Sequence, residues 1–377
     1  EGGAGRALKI GEVFTLQSEV LGEARDLLLY VPANPHPAGY PVIYLLDGPH
    51  LFHHTSGAVD LLSRIERIPP SIVVGVASPR RSRDFTMFES PDRPSGGAER
   101  FLEFLQTEVF PWVEARYRTA PHRMIVGHSL GGLLAFNALA TDPELFDSYL
   151  AISPAVSRDE RDLDEGIIPL TGRLAGMTRA SEGLSEDIFI TMSGAENPIW
   201  VEDLDRLEEF LRGSGTGVRW TSLDLPEEDH GTSPLVSVDR GLQWLWRGWY
   251  PEDLLTTGDL EDVDRHYAAL SERLGFRVAA PEGLVNLAGY RLLQGGDVEG
   301  AIRAFEENVA RYPESANVYD SLGEALETKG ALPGALRAYR RAVVLGERSD
   351  HPNLTIFRRN LERVHRELGF DPHDGSP

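Results

Sequence analysis

The sequence predicts an α/β protein with a doubly wound, mostly parallel sheet, followed by a small all-helical domain. Three observations predict it. Short, unbroken apolar runs alternate with segments of helical spacing as far as about residue 250. One of these runs, Met124-Ile125-Val126, leads into Gly127-His128-Ser129-Leu130-Gly131 and then into the helix-forming residues 133–139. From Leu254 onward strand signals stop and helical spacing takes over. At 377 residues the chain exceeds one ordinary domain. The expected division is 1–252 for the α/β part and 253–377 for the helical part.

Each element has its own signature. Residues 13–20 and 27–31 read as two strands joined by a glycine-containing turn, and 41–46 and 71–77 as short strands buried on both faces. Between the last two, residues 57–67 have helical spacing through Val59, Leu61, Leu62 and Ile65. Residues 82–86 and 89–98 carry no periodicity and are expected to be loop. A helix follows through Phe101, Phe104, Leu105, Val109 and Val113, then the strand 123–127 and a helix to Ala140. Residues 149–152, 188–192 and 218–223 read as strands, and 204–211 and 235–249 as helices. The charged stretch 158–165 is expected to form part of a lid, and residues 1–6 and 371–377 to fray.

The helical part contains a repeat. Gly289, Gly296, Ala301 and Phe305 recur as Gly323, Gly330, Ala335 and Tyr339, each 34 residues on. Small residues let two helices approach and the aromatic fills the gap, which is tetratricopeptide spacing. A preceding helix near 260–274 and a trailing one at 354–368, capped by Asn353 or Thr355, complete it. Two repeats are few for a free-standing array. The expectation is therefore that this part packs on the α/β domain or on a second subunit, with a homodimer or protein contact as its role.

The chemistry centres on Ser129. Glycines on either side permit a sharp strand-to-helix turn that lifts the hydroxyl clear of the sheet. The amide of Leu130 then faces any charge that develops on a bound carbonyl oxygen. Serine alone is a poor nucleophile, so a base and an orienting acid are needed further along. His230, in the polar loop Glu228-Asp229-His230-Gly231, is the candidate base; the alternative is a plain surface histidine. Glu196, just past the strand 188–192, is the candidate acid, with Glu202, Asp203 and Asp205 as rivals. The second oxyanion donor should come from Asp47-Gly48-Pro49-His50. Proline has no amide hydrogen, which leaves Gly48, His50 or a side chain. Asp47, His50, Arg83 and Trp200 are candidate substrate contacts; a structural pairing of Arg83 with Asp84 and core packing of Trp200 are the alternatives.

Composition narrows the rest. With 41% hydrophobic and 25% charged residues the chain can bury a full core. A net charge of -22 argues against nucleic acid and anionic membranes as partners. No apolar run reaches the roughly 20 residues of a membrane span. The absence of cysteine excludes disulfides and cysteine catalysis. His50, His53 and His54 lack an acidic companion at metal-ligand spacing, so no metal and no cofactor is expected. The compartment stays open between secreted or periplasmic and cytoplasmic, with no leader readable before Glu1.

Taken together, Tyr44-Leu45-Leu46-Asp47-Gly48, Arg83-Asp84-Phe85-Thr86, Ser95-Gly96-Gly97, Gly127-His128-Ser129-Leu130-Gly131-Gly132, Ile152-Ser153-Pro154 and Asp229-His230-Gly231 resemble the esterase D and enterobactin esterase-like branch of the α/β-hydrolases. The resemblance spans roughly residues 10–250. It implies an α/β-hydrolase fold and a serine esterase acting on a small-molecule ester, with Ser129 as nucleophile, His230 as base and Glu196 as acid. Relatives also include Ser–His dyads. Three departures stand out: Pro49 follows the Asp-Gly pair, Ser153-Pro154 lacks the usual aromatic pair after it, and Met87 replaces a proline. Acyl transfer on the same residues, or an inactive hydrolase fold that recruits partners through its repeats, are the other readings.

Overall fold

The structure, a computed structural model, describes residues 8–33, 39–89, 94–158, 169–180, 186–213, 218–257 and 260–369. The expected frayed ends, and residues 159–165 of the expected lid, lie outside these. The described residues form two compact units, one within 1–250 and 274–276, the other within 251–273 and 277–377.

The first unit is built on eight strands: β1 (Glu12–Ser18), β2 (Glu23–Tyr30), β3 (Tyr40–Leu45), β4 (Ile72–Val76), β5 (Thr119–His128), β6 (Ser148–Ile152), β7 (Asp187–Ser193) and β8 (Arg219–Leu225). Their order across the sheet is β1-β2-β4-β3-β5-β6-β7-β8. The pairs β1–β2 and β2–β4 are antiparallel; all others are parallel. Every residue of β3, β4, β6 and β7 is buried, as a sheet covered on both faces requires. The ends of β3, β5, β7 and β8 therefore open on one rim, where open α/β sheets gather their ligands.

Helix α1 (Gly48–Arg64) begins nine residues before the 57–67 segment expected from spacing. Asp47 takes the left-handed conformation, φ 55° and ψ 37°, and turns the chain from β3 straight into the helix. Pro49 sits in the first turn, where an amide has no acceptor anyway. Histidines on the outer face blurred the apolar stripe. Residues 82–86, expected to be loop, belong mostly to a short helix, α2 (Arg81–Phe85). The next helix is broken into α3 (Ala98–Phe104), a π turn (Leu105–Val109) and α4 (Phe110–Glu114). The π turn precedes Pro111, whose ring would strike the carbonyl of Thr107 in a continuous α-helix. After β5 comes α5 (Leu130–Thr141), buried from Gly131 to Ala140. Then follow α6 (Leu170–Ala180), α7 (Pro198–Gly213) and α8 (Ser233–Leu245).

The second unit holds α9 (Glu252–Thr257), α10 (Leu260–Leu274) up to Arg273, α11 (Glu282–Gln294), α12 (Val298–Arg311), α13 (Ala316–Thr328), α14 (Leu332–Arg348) and α15 (Leu354–Glu367). The 34-residue repeat has a direct spatial meaning. A Cβ on Gly289 would lie 2.5 Å from the Phe305 ring, and one on Gly323 would lie 2.6 Å from the Tyr339 ring. Gly296 and Gly330 turn each hairpin with φ of 87° and 81°. Ala301 and Ala335 are fully buried. Arg363 on α15 donates to both carboxylate oxygens of Glu327 at 2.7 Å. Asn353 occupies the N-cap of α15, yet its side chain makes no capping bond.

Candidate active site

The site is assembled at the strand ends on either side of β5. Ser129 is held at φ 59° and ψ −115°, a conformation L residues rarely adopt. Close packing at two glycines and backbone bonds at Ser129 itself allow the turn. A Cβ on Gly127 would lie 2.2 Å from the carbonyl oxygen of Gly131, and one on Gly132 would lie 2.9 Å from Pro154 Cβ. The amide of Ser129 donates to the carbonyl of Ile152 at 2.8 Å. Its carbonyl accepts from the amides of Leu133 and Ala155, both at 3.0 Å. Leu130 is the first residue of α5, where an amide has no acceptor within the helix.

Two loops bring the acid and the imidazole together. The amide of Gly194 donates to the carbonyls of Leu225 and Glu228 at 2.9 and 3.0 Å, tying the end of β7 to the turn after β8. A Cβ at Gly194 would strike Pro226, 2.5 Å from its carbonyl oxygen. His230 Nδ1 then lies 2.7 Å from Glu196 Oε1. The same oxygen accepts from Ser193 Oγ at 2.5 Å. The Glu196 side chain is 2% exposed and that of His230 35%, so the carboxylate is hidden while the ring reaches the surface. Asp229 accepts from the amides of Gly231 and Thr232 at 2.8 and 2.9 Å, and these bonds hold its carboxyl below the usual range. The rival Asp203 is buried on α7 and bonds Arg206 Nη1 at 2.9 Å.

Two rings flank His230. Its centroid is 4.4 Å from that of His128, the residue before Ser129, and 5.7 Å from that of Trp200 at the start of α7. Burial first, then the neighbouring His230 and Arg81, push His128 down to about 4, so this ring is neutral at ordinary pH.

On the other side of Ser129 stands the turn after β3. Asp47 accepts from Arg81 Nε at 2.8 and 2.9 Å, and Arg81 Nη2 donates to the carbonyl of His128 at 2.7 Å. One guanidinium thus joins the two loops that bracket the serine. Burial raises the Asp47 carboxyl, opposed by Arg81 and His50. The amide of His50 is used on the carbonyl of Asp47 at 2.9 Å. Gly48 packs so tightly on β4 that a Cβ would lie 2.5 Å from the carbonyl carbon of Gly75. His50 is exposed and lines a cleft of about 540 Å3.

Of the sequence-predicted residues, Glu196, His230 and Trp200 meet beside His128, the residue before Ser129, while Asp47, Gly48 and His50 lie at the turn after β3. Arg83 is elsewhere engaged: it donates to Glu23 at 2.5 Å and to Asp84 at 2.6 and 2.8 Å. Sequence reasoning missed Arg81 and Ser193. Arg80, Arg81 and Arg83 crowd four positions, and nothing in their order says which one turns inward.

Comparison with known proteins places the chain in a family. Residues 18–229 match the family described as "Putative esterase". The ferri-bacillibactin esterase BesA of Bacillus subtilis is 35% identical over 180 residues, 41% of this chain and 62% of that protein. The siderophore triacetylfusarinine C esterase of Aspergillus fumigatus is 36% identical over 245 residues, 55% of this chain and 82% of that protein. Among solved structures, an IroE-like serine hydrolase from Shewanella oneidensis superposes with a TM-score of 0.68 at 24% identity. The match covers 80% of this chain and 99% of that one, and it speaks to the fold.

Proposed function

The chain belongs to the family described as "Putative esterase", a family of carboxylic ester hydrolases, and from that premise we propose that Ser129, His230 and Glu196 form its hydrolytic triad. The observation that carries this reading is the 2.7 Å contact between Glu196 and His230 Nδ1, made beside the strained Ser129 turn. A proton on Nδ1, bonded to Glu196, leaves Nε2 as the basic nitrogen.

The steps follow from these roles. Ser129 Oγ attacks the ester carbonyl while His230 Nε2 takes its proton. The amides of Leu130 and Gly48 stabilise the oxyanion. Gly48 is the donor on the β3 side, because Pro49 has none and the amide of His50 is already bonded. His230 then gives its proton to the departing alkoxide, and the acyl group stays on Ser129. Water, activated by the same imidazole, releases it. Glu196 stabilises the imidazolium in both halves, and Ser193 fixes the carboxylate in place. The relatives' names make a siderophore-type small-molecule ester the substrate class to try first. Among the described residues no helix is long and apolar enough to cross a membrane.

Turnover of p-nitrophenyl acetate tests the reading. Ser129→Ala should lose about 1000-fold or more in kcat while keeping its fold. A phosphonate probe should label Ser129 in the wild type. Undiminished turnover in Ser129→Ala would sink the proposal.

A further inference from the structure

The chain leaving β6 meets each of the three places where the proposed triad stands. Ile152 and Ala155 hold the Ser129 turn by its amide and its carbonyl, at 2.8 and 3.0 Å. Ser153, between them, serves the other two members. The amide of Ser193, whose hydroxyl bonds Glu196, donates to Ser153 Oγ at 3.3 Å. Ser153 Oγ lies 3.3 Å from Ser233 Oγ, and Ser233 Oγ donates to the carbonyl of His230 at 3.4 Å. We propose that Ser153 is a positioning residue: its hydroxyl ties the strand that carries the acid to the loop that carries the base, on the segment that also anchors the nucleophile.

This deepens the serine reading and rests on it. Ser153 is 1% exposed and has a φ of 39°. Glycine takes a positive φ freely, whereas an L residue does so at a cost that its surroundings must offset. The two strands next in the sheet, β5 and β3, are also followed by non-glycine residues at positive φ, Ser129 and Asp47. A glycine at 153 would avoid the strain, so what the serine brings is the hydroxyl and its bonds.

The bonds have one consistent direction. A carbonyl only accepts, so the Ser233 hydroxyl points to His230 and its oxygen accepts from the Ser153 hydroxyl. Ser153 Oγ in turn accepts from the Ser193 amide. Donors and acceptors thus run in series from β7 to the His230 loop, an arrangement in which each bond strengthens the next. A second bridge lies beside it: Thr191 Oγ1 is 2.8 Å from Ser237 Oγ, which donates to the carbonyl of Ser233 at 2.7 Å. Ser153, Thr191, Ser193, Ser233 and Ser237 are all buried. Ser153 touches none of the reacting groups itself; it acts through Ser193 and Ser233.

Turnover of p-nitrophenyl acetate, with a thermal melt of each variant, tests the assignment. Ser153→Ala removes the hydroxyl alone, and Ser153→Gly removes it and relieves the strain. Both should lower kcat about ten-fold with KM within about two-fold of wild type, although the glycine variant melts no lower than the alanine one. Ser233→Ala breaks the next link away from the strained residue and should lower kcat about five-fold, which keeps the test decisive if the Ser153 variants fold poorly. A residue that acts through acid and base has nothing left to position once the imidazole is gone. Ser153→Ala added to His230→Ala should therefore cost less than about two-fold further, read as single-turnover release of p-nitrophenol. Wild-type kcat in Ser153→Gly or in Ser233→Ala would overturn the proposal, as would a full ten-fold further loss in the His230→Ala background, which assigns Ser153 to the fold alone. If His230→Ala itself turns over as fast as wild type, the serine reading beneath the proposal is what fails.

Discussion

At the residue scale the site combines strain with burial. Ser129 is held at a positive φ by its neighbours' lack of side chains, and the Glu196 side chain is buried where it meets the His230 ring and the Ser193 hydroxyl. His128 adds a pH dependence of stability. Its folded value, about 4, lies below the ordinary 6.5, so the unfolded chain takes up the proton first as pH falls. The stability this neutral ring contributes is complete above about 6.5 and is lost as pH drops toward 4. The loss amounts to at most about 3 kcal/mol. Urea midpoints measured between pH 7 and pH 4.5 should fall more steeply in the wild type than in His128→Gln; parallel slopes would assign the acid loss to other groups. Legibility at this scale was uneven. The turns that carry Ser129 and His230 were readable because each follows a strand and is flanked by glycine or polar loop residues. Ser193 was not, since a serine closing a buried strand looks the same whether or not a carboxylate returns to it three residues later.

At the element scale β3, β4, β6 and β7 were readable from their unbroken apolar runs, and the repeat from its 34-residue period; β2 starts at Glu23, ahead of the expected 27–31, because its first half is polar. Two helix starts were not. Helix α1 begins at Gly48 because Asp47 adopts a left-handed turn, and no residue pattern announces that. Helix α2 is five residues long, less than two turns, too short for a periodicity to show. The hairpins of the second unit depend on glycine facing an aromatic ring. Gly323→Ala places a methyl group 2.6 Å from the Tyr339 ring and should cost about 1–3 kcal/mol through forced repacking. Thermal unfolding followed by circular dichroism reads this directly. An unchanged transition would mean that α13 and α14 separate at little cost.

At the scale of the whole molecule, the parallel strands separate two kinds of work. The groups proposed for the triad and the oxyanion hole lie at the ends of β3, β5, β7 and β8. At the starts of β7 and β8, Asp187 is buried and accepts from Arg219 and Arg247, each at 2.8 Å. Arg247→Leu should lower the melting temperature by a few degrees, since a buried carboxylate loses a donor. Turnover of p-nitrophenyl acetate by the same variant should match the wild type. A fall in kcat/KM would show that the two rims are coupled through the sheet. The sequence could mark the candidate rim because its turns carry unusual residues beside strand ends, whereas the opposite rim is held by arginines and an aspartate of ordinary kind. A sheet organised this way has a working end and a holding end. Immobilisation on a support, or loop grafts, at the starts of β7 and β8 would leave the passage of esters at the far end undisturbed.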